Sequence, residues 1–411
     1  MSAGPSTAAQ SLSTSGLRRV LAILCGTQIT SWGILYYAFP VLAPDIGRAT
    51  GWPATAVIAA LSVAQLVTAV AGIAVGRWLD RRGPRAVMTA GSVLGVLALV
   101  AVATAPNLAW FVAAWAVAGA AMSGVLYPPA FAALTRWYGP RRVSALTVLT
   151  LAGGLASTVF APLTALLAAH LDWRHTYLVL AVVLAAITIP AHFWGLRGPW
   201  PDAHPPHGGH PEHHDPRRIA RSGPFLTLVV ALSLATFSVF AVVVNLVPLL
   251  TERGVRPGIA AVALGLGGAG QVLGRLGYGT LSRRTTVRAR TGIILLATSA
   301  TTALLSVLTS TAALIAAAVV AGMARGVFTL LQATAITDRW GAVHYGRLNG
   351  LLAAPMTITM ALAPFAGAAL AELLGGYTPA FLTLAAVNVA GALLAVASRP
   401  ESWPSVSGRG R

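Results

Sequence analysis

The chain has 411 residues, of which 56% are hydrophobic and 9% charged, and its mean hydropathy is +0.75. That balance lies outside the range of soluble globular domains and describes a chain built to sit in a bilayer. The net charge of +18 comes from twenty-eight arginines and no lysine, and because those arginines collect on one side of the predicted topology they encode orientation, which excludes a nucleic-acid surface as their cause.

Residues 1–19 open on small, uncharged polar residues and are predicted to form a disordered cytoplasmic N-terminus without a cleaved leader. Crossing ~30 Å of hydrocarbon takes roughly 20 helical residues. Twelve apolar stretches meet that length, near 20–43, 54–76, 86–105, 108–135, 143–169, 175–196, 225–250, 258–281, 290–309, 311–336, 348–371 and 376–398. The first carries Gln28, Tyr36, Tyr37 and the single cysteine, Cys25, which excludes an internal disulfide and a cysteine-based metal cage. The loop after the second reads GRWLDRRGPR, from Gly76 to Arg85, and the fourth carries Tyr127 and ends in LTRW.

After the N-terminal six-helix half, 20–196, residues 197–224 form a Pro/His/Gly-rich stretch that cannot bury apolar area and reads as a hydrated cytoplasmic linker. His204, His207, His210, His213 and His214 fall within it; neutral imidazoles bind nickel, cobalt, copper or zinc, but the spans hold no cluster of further ligands to pass an ion onward. The C-terminal six-helix half, 225–398, places Asn245 in span seven, Arg275 in span eight, and Arg325 and Gln332 in span ten. A cytoplasmic tail, 399–411, follows.

Four arginines, Arg48, Arg174, Arg253 and Arg256, lie on the side opposite both termini. Arg275 and Arg325 lie at membrane depth, and all the others share the side of the termini, which the positive-inside rule makes cytoplasmic. An ionisable group at membrane depth costs at least ~2.5 kcal/mol and is by default a candidate for function. All ten carboxylates sit at span ends or in loops. Buried guanidiniums with no acidic residue at their depth suit an anionic substrate, since desolvated Arg–carboxylate pairing is bidentate and strong.

Sliding the second half on the first by about 202 positions sets Asp80-Arg81-Arg82 on Ser282-Arg283-Arg284, Gly124-Val125 on Gly326-Val327 and Pro162 on Pro364. With one further residue of slip, LTRW at 134–137 meets TDRW at 337–340. Arg275 and Arg325 fall on Ile73 and Ser123, so a duplicated scaffold demands neither arginine. Six spans per half is an even number, giving two copies of the same orientation, and such parallel repeats point to alternating access about a site between the halves.

Gly76, Asp80, Arg81, Gly83 and Arg85 match the G-x-x-x-D-R-x-G-R signature of the major facilitator superfamily, which the chain resembles over its whole length. The resemblance implies an all-α membrane protein of twelve transmembrane helices in two halves. It implies also that Asp80 and Arg81 form a latch on the cytoplasmic side; Ser282 replaces the aspartate in the second copy. The stretches SWGILYYAFPVLAPDIG, GVLYPPAFAALTRW and GRLGYGTLSRR are similar to the branch holding the oxalate:formate antiporters and monocarboxylate transporters. In that branch an arginine of span eight, four residues before a glycine, binds the substrate carboxylate; Arg275 stands four residues before Gly279. The acidic partner one turn earlier in the monocarboxylate transporters is Gln271 here, and the span-eleven lysine of the oxalate antiporters is absent.

The expectation is thus a secondary transporter, not an enzyme, for a small organic anion, working by exchange or uniport in the cell inner membrane. Arg275 and Arg325 anchor the substrate, and Gln28, Tyr36, Tyr37, Tyr127, Asn245 and Gln332 are further cavity candidates. An efflux pump for a drug or secondary metabolite is the alternative. The expected partners are the substrate and the bilayer, with no nucleic acid, no cofactor and a monomeric chain.

Overall fold

The computed structural model describes residues 12–200 and 215–397. His204, His207, His210, His213 and His214, with the outer parts of both tails, lie outside the described residues. Among the described residues every regular element is a helix. Ten runs are long and apolar enough to cross a membrane, and two of them, Ala54–Ala103 with 50 residues and Leu108–His170 with 63, hold two crossings each. The fold is therefore the twelve-span one expected from hydropathy.

The first span is composite: α1 (Thr14–Trp32), a π-helical turn (Gly33–Tyr37) and α2 (Ala38–Thr50). Its helix begins inside the stretch 1–19 expected to be disordered, because the Ser13 hydroxyl accepts the Gly16 N–H and caps it. Spans two and three form α3 (Ala54–Ala103), broken at Gly83 (φ 75°, ψ 174°) and followed by Pro84. Only glycine adopts that backbone without strain. Span four divides into α4 (Leu108–Val125) and α5 (Tyr127–Tyr138), and span five into α6 (Arg142–Gly154) and α7 (Ala156–His170). Span six is α8 (Trp173–Gly195).

A short helix, α9 (Pro216–Arg221), lies inside the expected linker, started by the Asp215 cap and Pro216 at its first position. Spans seven to ten are α10 (Gly223–Glu252), α11 (Pro257–Arg284), α12 (Val287–Val307) and α13 (Thr311–Thr334), the last followed by the single turn α14 (Thr337–Trp340). Spans eleven and twelve are α15 (Tyr345–Leu374) and α16 (Tyr377–Ala397). Asn107, Asp172, Ser222, Thr286 and Ser310 each accept an N–H three residues on, so with Ser13 half of the span starts are written into the sequence as caps.

Contacts group the described residues into two compact units, one of residues up to 200 with 341–361, the other of 215–340 with 362–397. The first unit buries Phe39, Phe111, Trp115 and Tyr177 among aliphatic side chains; the second buries Leu249, Leu305, Leu314 and Phe381. Helix pairs approach to backbone contact in each unit, and one such contact recurs in both. A Cβ on Gly119 of α4 would strike the Ala64 carbonyl of α3, and one on Gly322 of α13 would strike the Gly267 carbonyl of α11. Those two contacts are related by the same offset that superposes LTRW on TDRW, so the repeat read from sequence is also a repeat of packing.

Candidate functional site

In the first unit, the double proline Pro128-Pro129 interrupts span four, because neither residue has an N–H to return to the carbonyls of Gly124 and Val125. Gln28, fully buried on α1, supplies what is missing: its Nε2 donates to the Val125 carbonyl at 2.6 Å. Just beyond it, the π-helical turn carries Tyr36 and Tyr37. Trp32 stands 5.5 Å from Tyr36, 6.3 Å from Tyr37 and 5.2 Å from Tyr127, ring centre to ring centre, and Tyr127 stacks on Phe131 at 5.0 Å. The three tyrosines named from sequence therefore belong to one aromatic cluster. The sequence reading missed Trp32 at its centre, although SWGILYY holds the signal, and the π turn has no composition of its own to announce it.

In the second unit, α11 and α13 pack through glycine. Side chains at Gly270 and Gly274 would strike the carbonyls of Val319 and Met323, and one at Gly326 would strike that of Gln271. Gly268 faces open space. Both membrane arginines lie on this pair. Arg275 is 5% exposed, while its neighbours Leu273 and Leu276 are 55% and 60% exposed, so the guanidinium takes the inward face of α11 and the leucines the outward one. The half-buried Arg325 donates from Nη2 to the Gly267 carbonyl at 3.4 Å, from α13 across to α11. Asn245 Nδ2 returns to the Ala241 carbonyl of its own helix at 2.9 Å, and Gln332 Nε2 donates to Thr236 Oγ1 at 3.0 Å. Gln332 thus ties α13 to α10, while Asn245 bonds within α10.

The loop motif is built around Asp80. Its two carboxylate oxygens accept the backbone N–H groups of Gly346 at 3.0 Å and Arg347 at 2.8 Å, at the start of α15, where the exposed N–H groups and helix dipole favour an anion. Gly76 packs against the Gly346 carbonyl, an approach that no larger residue permits. Arg136 of the LTRW sequence lies 3.7 Å from the Asp80 carboxylate and donates to the Val343 carbonyl at 2.7 Å. Trp200 closes the assembly: its Nε1 donates to the Asp80 carbonyl at 3.2 Å, its ring lies 4.4 Å from the Arg136 guanidinium, and it covers Gly83. Burial pushes the Asp80 carboxyl above the usual carboxylate range, opposed by the two N–H donors and by Arg136 and Arg347.

Of the other arginines named from the motif, Arg85 donates to the Phe193 carbonyl at 2.8 Å, whereas Arg81 is exposed. The arginine that pairs with the Asp80 carboxylate is Arg136, which the motif does not include. The second unit replaces its missing aspartate differently. Arg290, on α12, donates to the hydroxyl of Ser282 at 3.2 Å and pairs with Asp338 of TDRW. Among the described residues no group of histidine, cysteine and acidic side chains is arranged to hold a metal.

Comparison with known proteins agrees with this architecture. The family model of the Major Facilitator Superfamily matches residues 22–312. A stretch of 173 residues is 34% identical to an uncharacterised 38 kDa protein in the 23S RNA operon of Thermoproteus tenax, covering 42% of this chain and 45% of that one, so the match spans less than half of that relative. Monocarboxylate transporter 13 of Rattus norvegicus is 24% identical over 385 residues, 88% of this chain and 83% of that protein. The solved structure of the E. coli fucose:proton symporter has the same fold, with a TM-score of 0.72 at 15% identity over 93% of this chain and 98% of that one. The match over most of the chain, on a twelve-span fold carrying its loop motif, places the protein in the Major Facilitator Superfamily, to which it belongs.

Proposed function

We propose that the protein is a secondary transporter that moves a small organic anion, a mono- or dicarboxylate, by exchange or uniport. Arg275 carries the proposal: a guanidinium 5% exposed, about 12 Å along α11 from the arginine cluster at its end, on a helix whose outward face is leucine. Arg325 on the partner helix of the same pair is the second anchor, and the tyrosines of the Trp32 cluster offer hydroxyls to orient the substrate. The likeness to a monocarboxylate transporter over most of both chains supports the substrate class. We take the two six-helix halves, 20–196 and 225–398, as the moving bodies, Asp80 with Arg136 as the latch, and the arginine-rich side as the cytoplasm.

The test is counterflow of labelled carboxylates into proteoliposomes. Arg275→Ala is expected to lower the initial rate about a hundredfold, the loss of two charge-assisted hydrogen bonds, with unchanged membrane insertion. Full transport by that variant overturns the assignment. The rings around Trp32 favour one other reading, export of an amphipathic drug or secondary metabolite held by ring faces. Resistance to such compounds on expression, without carboxylate counterflow, selects it.

A further inference from the structure

The arginines of the arginine-rich side divide into those that hold protein groups and those that do not. Arg85, Arg136 and Arg290 each bind a carbonyl or a carboxylate. Arg77, Arg81 and Arg82 are exposed, and among the described residues their one protein partner is Trp78, whose ring lies 5.9 Å from the Arg82 guanidinium. All three converge on a single open cleft of about 360 Å³, lined by Ala74, Arg77, Trp78, Arg81 and Arg82.

The cleft follows from helical geometry. At about 100° per residue, positions 74, 77, 78, 81 and 82 share one face of α3, and Gly72, Gly76 and Asp80 share the opposite face. That opposite face packs against Gly346 and Gly350 of α15. The same turns of helix therefore carry the latch on one side and an unpaired basic cleft on the other. The cleft face continues toward the membrane interior as Val70, 68% exposed, and Leu66, 41% exposed. A basic end with an indole, continued by an exposed aliphatic strip, matches a lipid from headgroup to acyl chain.

We propose that this cleft binds the phosphate headgroup of an anionic phospholipid in the leaflet on the arginine-rich side. Guanidinium groups bind phosphate oxygens bidentately, and three of them around one cleft repel one another until an anion arrives. Trp78 seats at the glycerol level, and the acyl chains lie along Val70 and Leu66. Apolar Val70 and Leu66 have nothing to offer inorganic phosphate. A bound headgroup braces from behind the two helical turns that present Gly76 and Asp80 to α15.

The experiment is thermal unfolding and native mass spectrometry of the full chain in a neutral detergent, titrated with dioleoylphosphatidylglycerol, dioleoylphosphatidylcholine or inorganic phosphate. Phosphatidylglycerol is expected to be retained and to raise the melting temperature, and the other two to do neither. The variant R77Q/R81Q/R82Q is expected to weaken phosphatidylglycerol binding about a hundredfold, while R217Q/R218Q/R221Q on α9, with the same loss of charge, keeps it within about threefold. Equal binding of the two lipids, or equal loss in both triple variants, overturns the site. Equal stabilisation by inorganic phosphate overturns the lipid as its ligand. Should the first triple variant fail to fold, R81Q and W78A serve singly: a loss of about fivefold in each is expected, and unchanged affinity in both overturns the proposal.

Discussion

Arg275 and Gln28 are both buried polar residues of the spans, and their surroundings give them different work. Arg275 was legible from sequence, since a charge in an apolar run needs no knowledge of its neighbours to be noticed. The partner of Gln28 was not legible, because the hydrogen bond to Val125 joins residues 97 positions apart. Gln28→Leu leaves a buried carbonyl unanswered at the break in span four and is expected to cost about 1–3 kcal/mol, read as a fall in melting temperature. Arg136 could have been found: LTRW and TDRW align in the repeat, and that alignment marks the arginine in each. Asp338 and Arg290, 9% and 4% exposed, behave as a unit. Arg290→Ala removes the ion-pair partner of a buried carboxylate and is expected to cost about 3–5 kcal/mol in thermal or denaturant unfolding, and adding Asp338→Ala is expected to recover part of it.

At the scale of helices, hydropathy located every span, because twenty apolar residues form a strong local signal, and capping residues marked half of the starts. Interruptions within spans were less visible. The Gly83-Pro84 break is written in residue types, whereas the π turn of span one is not. Along span eight, Gly267, Gly270 and Gly274 meet the backbone of α13. Gly268 does not, for it lies on another side of the helix. Two substitutions separate the roles. Gly274→Leu forces α11 and α13 apart and is expected to destabilise by about 3 kcal/mol or more, measured as lost monodisperse protein after heating. Gly268→Ala meets nothing and is expected to be neutral or slightly stabilising, since alanine favours a helix by up to about 1 kcal/mol over glycine.

For the whole molecule, the arginine count and the offset between halves anticipated a duplicated twelve-span protein, and the paired contacts Gly119 with Ala64 and Gly322 with Gly267 repeat that duplication in packing. The charge networks at the loops are not duplicated. Asp80 holds backbone N–H groups of α15, while its counterpart Ser282 is held by Arg290. This asymmetry makes Asp80→Ala the sharper probe of conformational change. It is expected to release the start of α15, raising hydrogen exchange at residues 345–350 about tenfold for roughly 1.4 kcal/mol of lost capping, with little change near Ser282. Uniform protection in that variant would separate the motif from any latch.

The bond between Gln28 and the Val125 carbonyl also bears on descent. The amide at position 28 is useful because position 129 is proline, and a helix restored by Pro129→Ala would take that carbonyl back for its own ladder. The two positions form a pair that inheritance can change together at low cost but singly only at a loss. Across related sequences an amide at the first should accompany a proline at the second, and where the proline is gone the amide should drift toward an aliphatic side chain.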